Sequence, residues 1–68
     1  MFEQIRARRK ALGVPQVRVA QAVRKSLAWA QQVEAGVLVP SRADAEKVAE
    51  MLEAKPEELF SRIREEAA

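Results

Sequence analysis

The sequence predicts an all-α fold, five short helices around one core. Three observations carry this. Ala, Glu, Arg, Gln and Leu are abundant, and all are good helix formers. Gly13, Pro15, Gly36, Pro40 and Pro56 cut the chain into segments of helical length. No segment combines period-two alternation over five residues with flanking turn signals, so strands are not expected.

The first helix is expected from about Phe2 to Leu12, with Ile5 and Leu12 seven apart on one face. Gly13 follows, where a helix end favours a left-handed residue. The second helix runs from about Gln16 to Val23, entered through Pro15, whose missing N–H costs nothing in a first turn. Val19, Ala20 and Val23 form its inward stripe. Arg24-Lys25-Ser26 makes a three-residue turn, and Ser26 is a good N-cap. The third helix runs from about Leu27 to Ala35, with Ala30 and Val33 inward and Gly36 ending it. Ser41 caps the fourth, with Asp44 three residues on, a capping-box spacing. Ala45, Val48, Ala49 and Leu52 recur there at steps of three and four. The fifth begins near Pro56, with Glu57 and Glu58 in its first turn and Leu59, Phe60 and Ile63 as its apolar residues. The expected core is Ile5, Leu12, Val14, Val19, Val23, Ala30, Val33, Val48, Leu52, Leu59 and Phe60.

Composition narrows the functions. The 68 residues, read as one domain over 1–68, contain neither Cys nor His. Disulfides are therefore excluded, and a structural zinc site is disfavoured. A core this small gains from self-association, which favours a homodimer. Without His or Cys, and with no base beside Ser26, Ser41 or Ser61, an enzyme is not expected. No cofactor, metal or small-molecule ligand is expected. No run approaches the roughly 18 apolar residues of a membrane span. Met1 to Lys10 lacks the apolar stretch of a signal peptide, so a cytoplasmic setting is the expectation.

Charge is unevenly spread. Residues 1–42 carry eight basic and two acidic groups, and residues 43–68 carry four basic and eight acidic. The first part is thus at +6 and the second at −4. One surface suits a polyanion and another faces away from it. Ordinary solvated helix faces are the alternative at this level.

Two short helices joined by a tight turn, with two more following, is the plan of a helix-turn-helix. The residues go further. Arg9, Gly13, Gln16, Val19-Ala20, Val23, Ser26, Ala30, Val33-Glu34, Gly36 and Pro40-Ser41, then Val48-Ala49, Leu52, Pro56 and Leu59-Phe60, form an ordered spacing set. That set resembles the lambda-repressor/Cro type, or Xre-like, helix-turn-helix family over roughly residues 5–60. The resemblance implies a compact five-helix DNA-binding domain with its helix-turn-helix at helices 2 and 3. Double-stranded DNA is then the implied partner, and a homodimer on a pseudo-palindromic operator the implied form.

It also implies residue roles. Gln16 clamps a DNA phosphate. Arg9 and Glu34 form a structural ion pair between the first and third helices. Leu27, Ala28, Gln31 and Gln32 face the major groove. Gln32 can make two hydrogen bonds to adenine, while Leu27 and Ala28 can touch thymine methyls. Arg18, Arg24, Lys25, Ser26 and Arg42 join Gln16 as phosphate-contact candidates. Phe60 and Ile63 are the family-like dimer surface.

Three departures stand out. Arg24 occupies a turn position that is usually Gly, and a left-handed backbone there would cost roughly 1–2 kcal/mol. Val37-Leu38-Val39 replaces a loop that is often basic or polar. Trp29 sits in the recognition helix where small polar residues are common. Trp29, Val37, Leu38 and Val39 could make an apolar partner surface, or could bury one another. The second functional reading is therefore a protein-interaction module on the same fold, such as an antitoxin or a polymerase-associated adaptor.

Overall fold

The computed structural model describes residues 3–65, so the expected helix start at Phe2 lies outside the described residues. The chain forms α1 (Glu3–Leu12), α2 (Gln16–Ala22), α3 (Leu27–Glu34), α4 (Arg42–Met51) and α5 (Pro56–Leu59). No strand occurs among the described residues, only one isolated parallel bridge between Ser41 and Arg64. None of these helices is long and apolar enough to cross a membrane.

The second to fifth helices start where the sequence predicts. Ser26 Oγ accepts from the Trp29 N–H at 3.3 Å and Ser41 Oγ from the Asp44 N–H at 3.2 Å. The Ser41 bond satisfies an amide that has no partner within the helix, and the Trp29 amide is shared between Ser26 Oγ and the Ser26 C=O at 3.0 Å. At α5, Pro56 opens the helix and Glu58 Oε1 accepts from the Lys55 N–H at 2.7 Å.

The first four helices share one ending. In each, a residue with positive φ follows the last turn, and two backbone bonds close back on the helix. After α2 these are Arg24 N–H to Gln21 C=O at 3.1 Å and Lys25 N–H to Ala20 C=O at 2.9 Å. The same pair of bonds recurs after α1, α3 and α4. This is the Schellman arrangement, which satisfies carbonyls left over at a helix end. Gly13 (φ 71°) and Gly36 (φ 79°) occupy two of the left-handed positions, and Arg24 and Glu53 (φ 56° each) the other two.

The buried set is Ile5, Val19, Ala20, Val23, Ala30, Val33, Ala45, Val48, Ala49, Leu52, Leu59 and Phe60. Four of these are alanines, on α2, α3 and α4. Small side chains at helix contacts let the backbones approach closely. Val14 is half-buried and packs against this set, as do Trp29, Leu38, Met51, Ala54 and Ile63.

Two expectations are corrected. Leu12 is not core: it is 37% exposed. It shares the Ile5 face, but it is the last residue of α1, and the chain reverses at Gly13 and leaves it at the edge of the core. Val14 turns back onto the core in its place. Phe60 and Ile63 are not part of the fifth helix, which ends at Leu59. Phe60 has an extended backbone (φ −121°, ψ 126°). Beyond it the chain returns to the segment before α4. Arg64 N–H donates to Pro40 C=O at 2.7 Å and Arg42 N–H to Arg64 C=O at 3.0 Å.

Candidate nucleic-acid interface

The exposed side of α3 follows from what the other side buries. Ala30 and Val33 point into the core, with Trp29 and Glu34 half-buried beside them. At about 100° per residue, Leu27, Ala28, Gln31 and Gln32 fall on the opposite arc, roughly 140° wide. All four are exposed. The predicted groove-facing residues thus form one continuous stripe, two amides beside two short apolar groups.

Arg9 and Glu34 hold that helix in place. Arg9 Nε donates to Glu34 Oε2 at 2.8 Å and Nη2 to Oε1 at 3.0 Å, while Nη1 donates to the Val14 C=O at 3.1 Å. Their side chains are 12% and 9% exposed. The fork geometry suits a carboxylate, and the third bond fixes the α1–α2 loop as well. One guanidinium therefore ties α1, the end of α3 and the approach to α2 into a unit.

Arg8 does comparable work on the other side of Ile5, and sequence reasoning missed it. Its Nε donates to Leu52 C=O at 2.8 Å and Nη2 to Glu53 C=O at 2.9 Å. A cation thus caps the carbonyl end of α4. The available signal was its spacing: Arg8 and Arg9 lie three and four residues after Ile5, flanking the buried stripe.

The other predicted residues divide into three groups. Gln16 is half-buried at the start of α2 and lines a groove of about 360 Å³ with Arg6, Arg9, Lys10, Gln31, Glu34 and Ala35. It is thereby brought beside the base-contact candidate Gln31. Arg24, Lys25 and Ser26 are exposed in the turn between α2 and α3. Arg18 is not brought to Gln16. It lines a separate groove with Gly13, Val14, Pro15 and Met51.

Arg42 stands apart. Its Nη1 donates to Glu57 Oε2 at 2.8 Å, and its Nε and Nη2 clasp both carboxylate oxygens of Glu65. The hydrogen bonds to Glu65 and Glu57 raise the Arg42 pKa further and hold both carboxyls below their ordinary value. Arg42 is therefore charged but neutralised within the chain, unlike a cation waiting for a phosphate.

The apolar candidates also separate. Trp29 and Leu38 are half-buried against the core and Val39 is half-buried, whereas Val37 is 76% exposed. As dimer candidates, Phe60 is withdrawn by burial at 3% exposure, and Ile63 is half-buried against the core.

Comparison with known proteins agrees with this geometry. The family model described as a helix-turn-helix domain matches residues 3–61. No curated protein and no solved structure matches the chain significantly. The matched span takes in all five helices, with α2, the Arg24 turn and α3 at its centre: the chain belongs to the helix-turn-helix domain family.

Proposed function

We propose that this chain is a sequence-specific DNA-binding transcriptional regulator of the Xre-like kind, with α3 seated in the major groove. The observation that carries the reading is the α3 stripe. Leu27, Ala28, Gln31 and Gln32 are exposed together on a helix whose opposite side is locked by Ala30, Val33 and the Arg9–Glu34 pair. A rigid helix presenting amides is what base-edge readout requires. Gln16, Arg24, Lys25 and Ser26 border that stripe as positioning contacts to phosphate. Residues 1–68 act as one domain in an intracellular setting. Two copies on half-sites about 34 Å apart would double a short readout.

The test is duplex binding by the wild type and Gln32→Ala across a selected sequence pool. The reading expects the variant to stay folded and lose its preference at one or two base pairs. Identical preferences for both proteins would overturn the role of α3.

Val37 favours a second reading, a protein-interaction module. A large apolar side chain 76% exposed beside the recognition helix suits a protein partner. Under that reading Val37→Asp abolishes a partner complex that survives Gln32→Ala with Arg24→Ala.

A further inference from the structure

We infer that Arg6 and Lys10 on α1, together with Gln16, form a phosphate subsite that seats one DNA strand beside α3. This rests on the DNA-binding reading and extends it to a helix that contributes no base contact.

Charge accounting points to these two residues. Arg6, Arg9 and Lys10 line the groove of about 360 Å³ together with Glu34. Arg9 and Glu34 cancel each other through their paired bonds. Arg6 and Lys10 are exposed and make no ion pair among the described residues. They leave the groove with two uncompensated positive charges. Of the other cations in the first half of the chain, Arg24 and Lys25 are also exposed and make no ion pair among the described residues, but they lie in the α2–α3 turn outside this groove, and three more are engaged elsewhere. Arg8 is spent on the α4 carbonyls, Arg42 on Glu57 and Glu65, and Arg18 faces a separate groove. A larger groove of about 490 Å³ beside α1 carries Glu53 and Glu58 against Arg8 alone, the wrong sign for a phosphate.

Geometry adds to the charge. Arg6 and Lys10 are four apart on α1, so their Cβ atoms lie about 5–6 Å apart on one face. Like charges at that spacing repel and weaken a helix, and an anion seated between them removes the repulsion. Gln16, on the same groove, can donate an amide N–H to a phosphate oxygen without adding charge. Gln31 lines the groove and belongs to the α3 stripe, so a strand held here runs next to the bases that α3 would read.

The salt dependence of duplex binding tests this. Each phosphate neutralised contributes about 0.9 to the slope of log K against log salt. Arg6→Gln with Lys10→Gln removes the one phosphate seated between them and should flatten the slope by about 0.9, and each single change should flatten it by less. Lys47→Gln, an exposed cation on α4 outside this groove, should leave it unchanged. Circular dichroism should show the helices intact, because neither side chain supports the core. A wild-type slope in the double variant, with wild-type protein binding normally, overturns the subsite and leaves the DNA reading standing. Failure of the wild type to bind any duplex overturns the DNA reading itself, and this subsite with it.

Discussion

Arg9 and Glu34 meet across 25 positions of sequence through two parallel hydrogen bonds of 2.8 and 3.0 Å, both side chains almost removed from water. The pair joins the helix that starts the domain to the end of the helix proposed to read DNA. Removing one partner of a nearly buried pair strands the other charge, at a cost of about 2–4 kcal/mol, slightly discounted for residual exposure. Glu34→Gln should therefore lower the unfolding free energy by that amount, read as a lower urea midpoint with an unchanged denaturant slope. Arg9→Met with Glu34→Met should recover part of the loss, because no charge is left stranded. A loss below about 0.5 kcal/mol in the single variant would show that the pair does not lock the fold.

Arg24 is predicted to trade stability for binding. Its left-handed backbone (φ 56°) suits Gly, yet its side chain is exposed in the turn bordering the α3 stripe. Arg24→Gly removes the strain but makes the unfolded chain more flexible, so a net gain of about 0.5–1 kcal/mol is expected. The same change should weaken duplex binding through loss of a phosphate contact. Thermal unfolding and a binding titration on one preparation would show the two effects with opposite signs. A variant both less stable and equally able to bind would contradict this account of the turn.

The local signals were legible in the sequence. Ser26 and Ser41 as caps, Gly13 and Gly36 as helix ends, and Pro15 and Pro56 as openings all act within a few residues of themselves. The α3 stripe was legible too, because helical periodicity assigns Ala30 and Val33 inward and leaves the rest outside. What escaped was long-range or against type. Glu53 takes a left-handed position with no glycine to mark it, and its carbonyl is held by Arg8 from 45 residues away. The return of residues 60–64 onto the segment before α4 depends on backbone bonds across the fold, which no local pattern encodes. Leu12 misled because a seven-residue spacing gives a face but not how far the core extends along it.

The Arg42 cluster yields a prediction of binding and one of pH. With its charge held by Glu57 and Glu65, Arg42→Gln should change the salt slope of duplex binding little. Glu57→Gln with Glu65→Gln should free the guanidinium and steepen the slope by up to about 0.9. A full unit lost on Arg42→Gln alone would show that Arg42 already reaches phosphate.

Both carboxyls are lowered from 4.5, first through their hydrogen bonds to Arg42. A lowered carboxyl contributes stability that is fully present above its unfolded pKa and is lost as pH falls through the folded one. The cluster should therefore be intact from pH 7 down to the ordinary carboxylate range and open only below it. Carboxyl carbon shifts of Glu57 and Glu65 followed by NMR should titrate below 4.5. Midpoints at or above that value would mean the cluster is not formed in solution.

Gln32 should be separable from the fold. It is exposed on α3, so Gln32→Ala should leave the unfolding free energy within about 0.5 kcal/mol of the wild type. If it reads adenine, discrimination at that base pair should fall by about 1–3 kcal/mol. Competition with single-base operator variants measures this. Unaltered discrimination at every position would remove Gln32 from the readout.

The most direct test of the central claim is fluorescence anisotropy of a labelled random-sequence duplex, titrated with the protein at about 50 and 200 mM salt. The account predicts binding in about the micromolar range at the lower salt that weakens steeply at the higher, as phosphate contacts from a basic face require. No binding at either salt would contradict it, and would leave exposed Val37, in the loop after α3, as the surface to pursue.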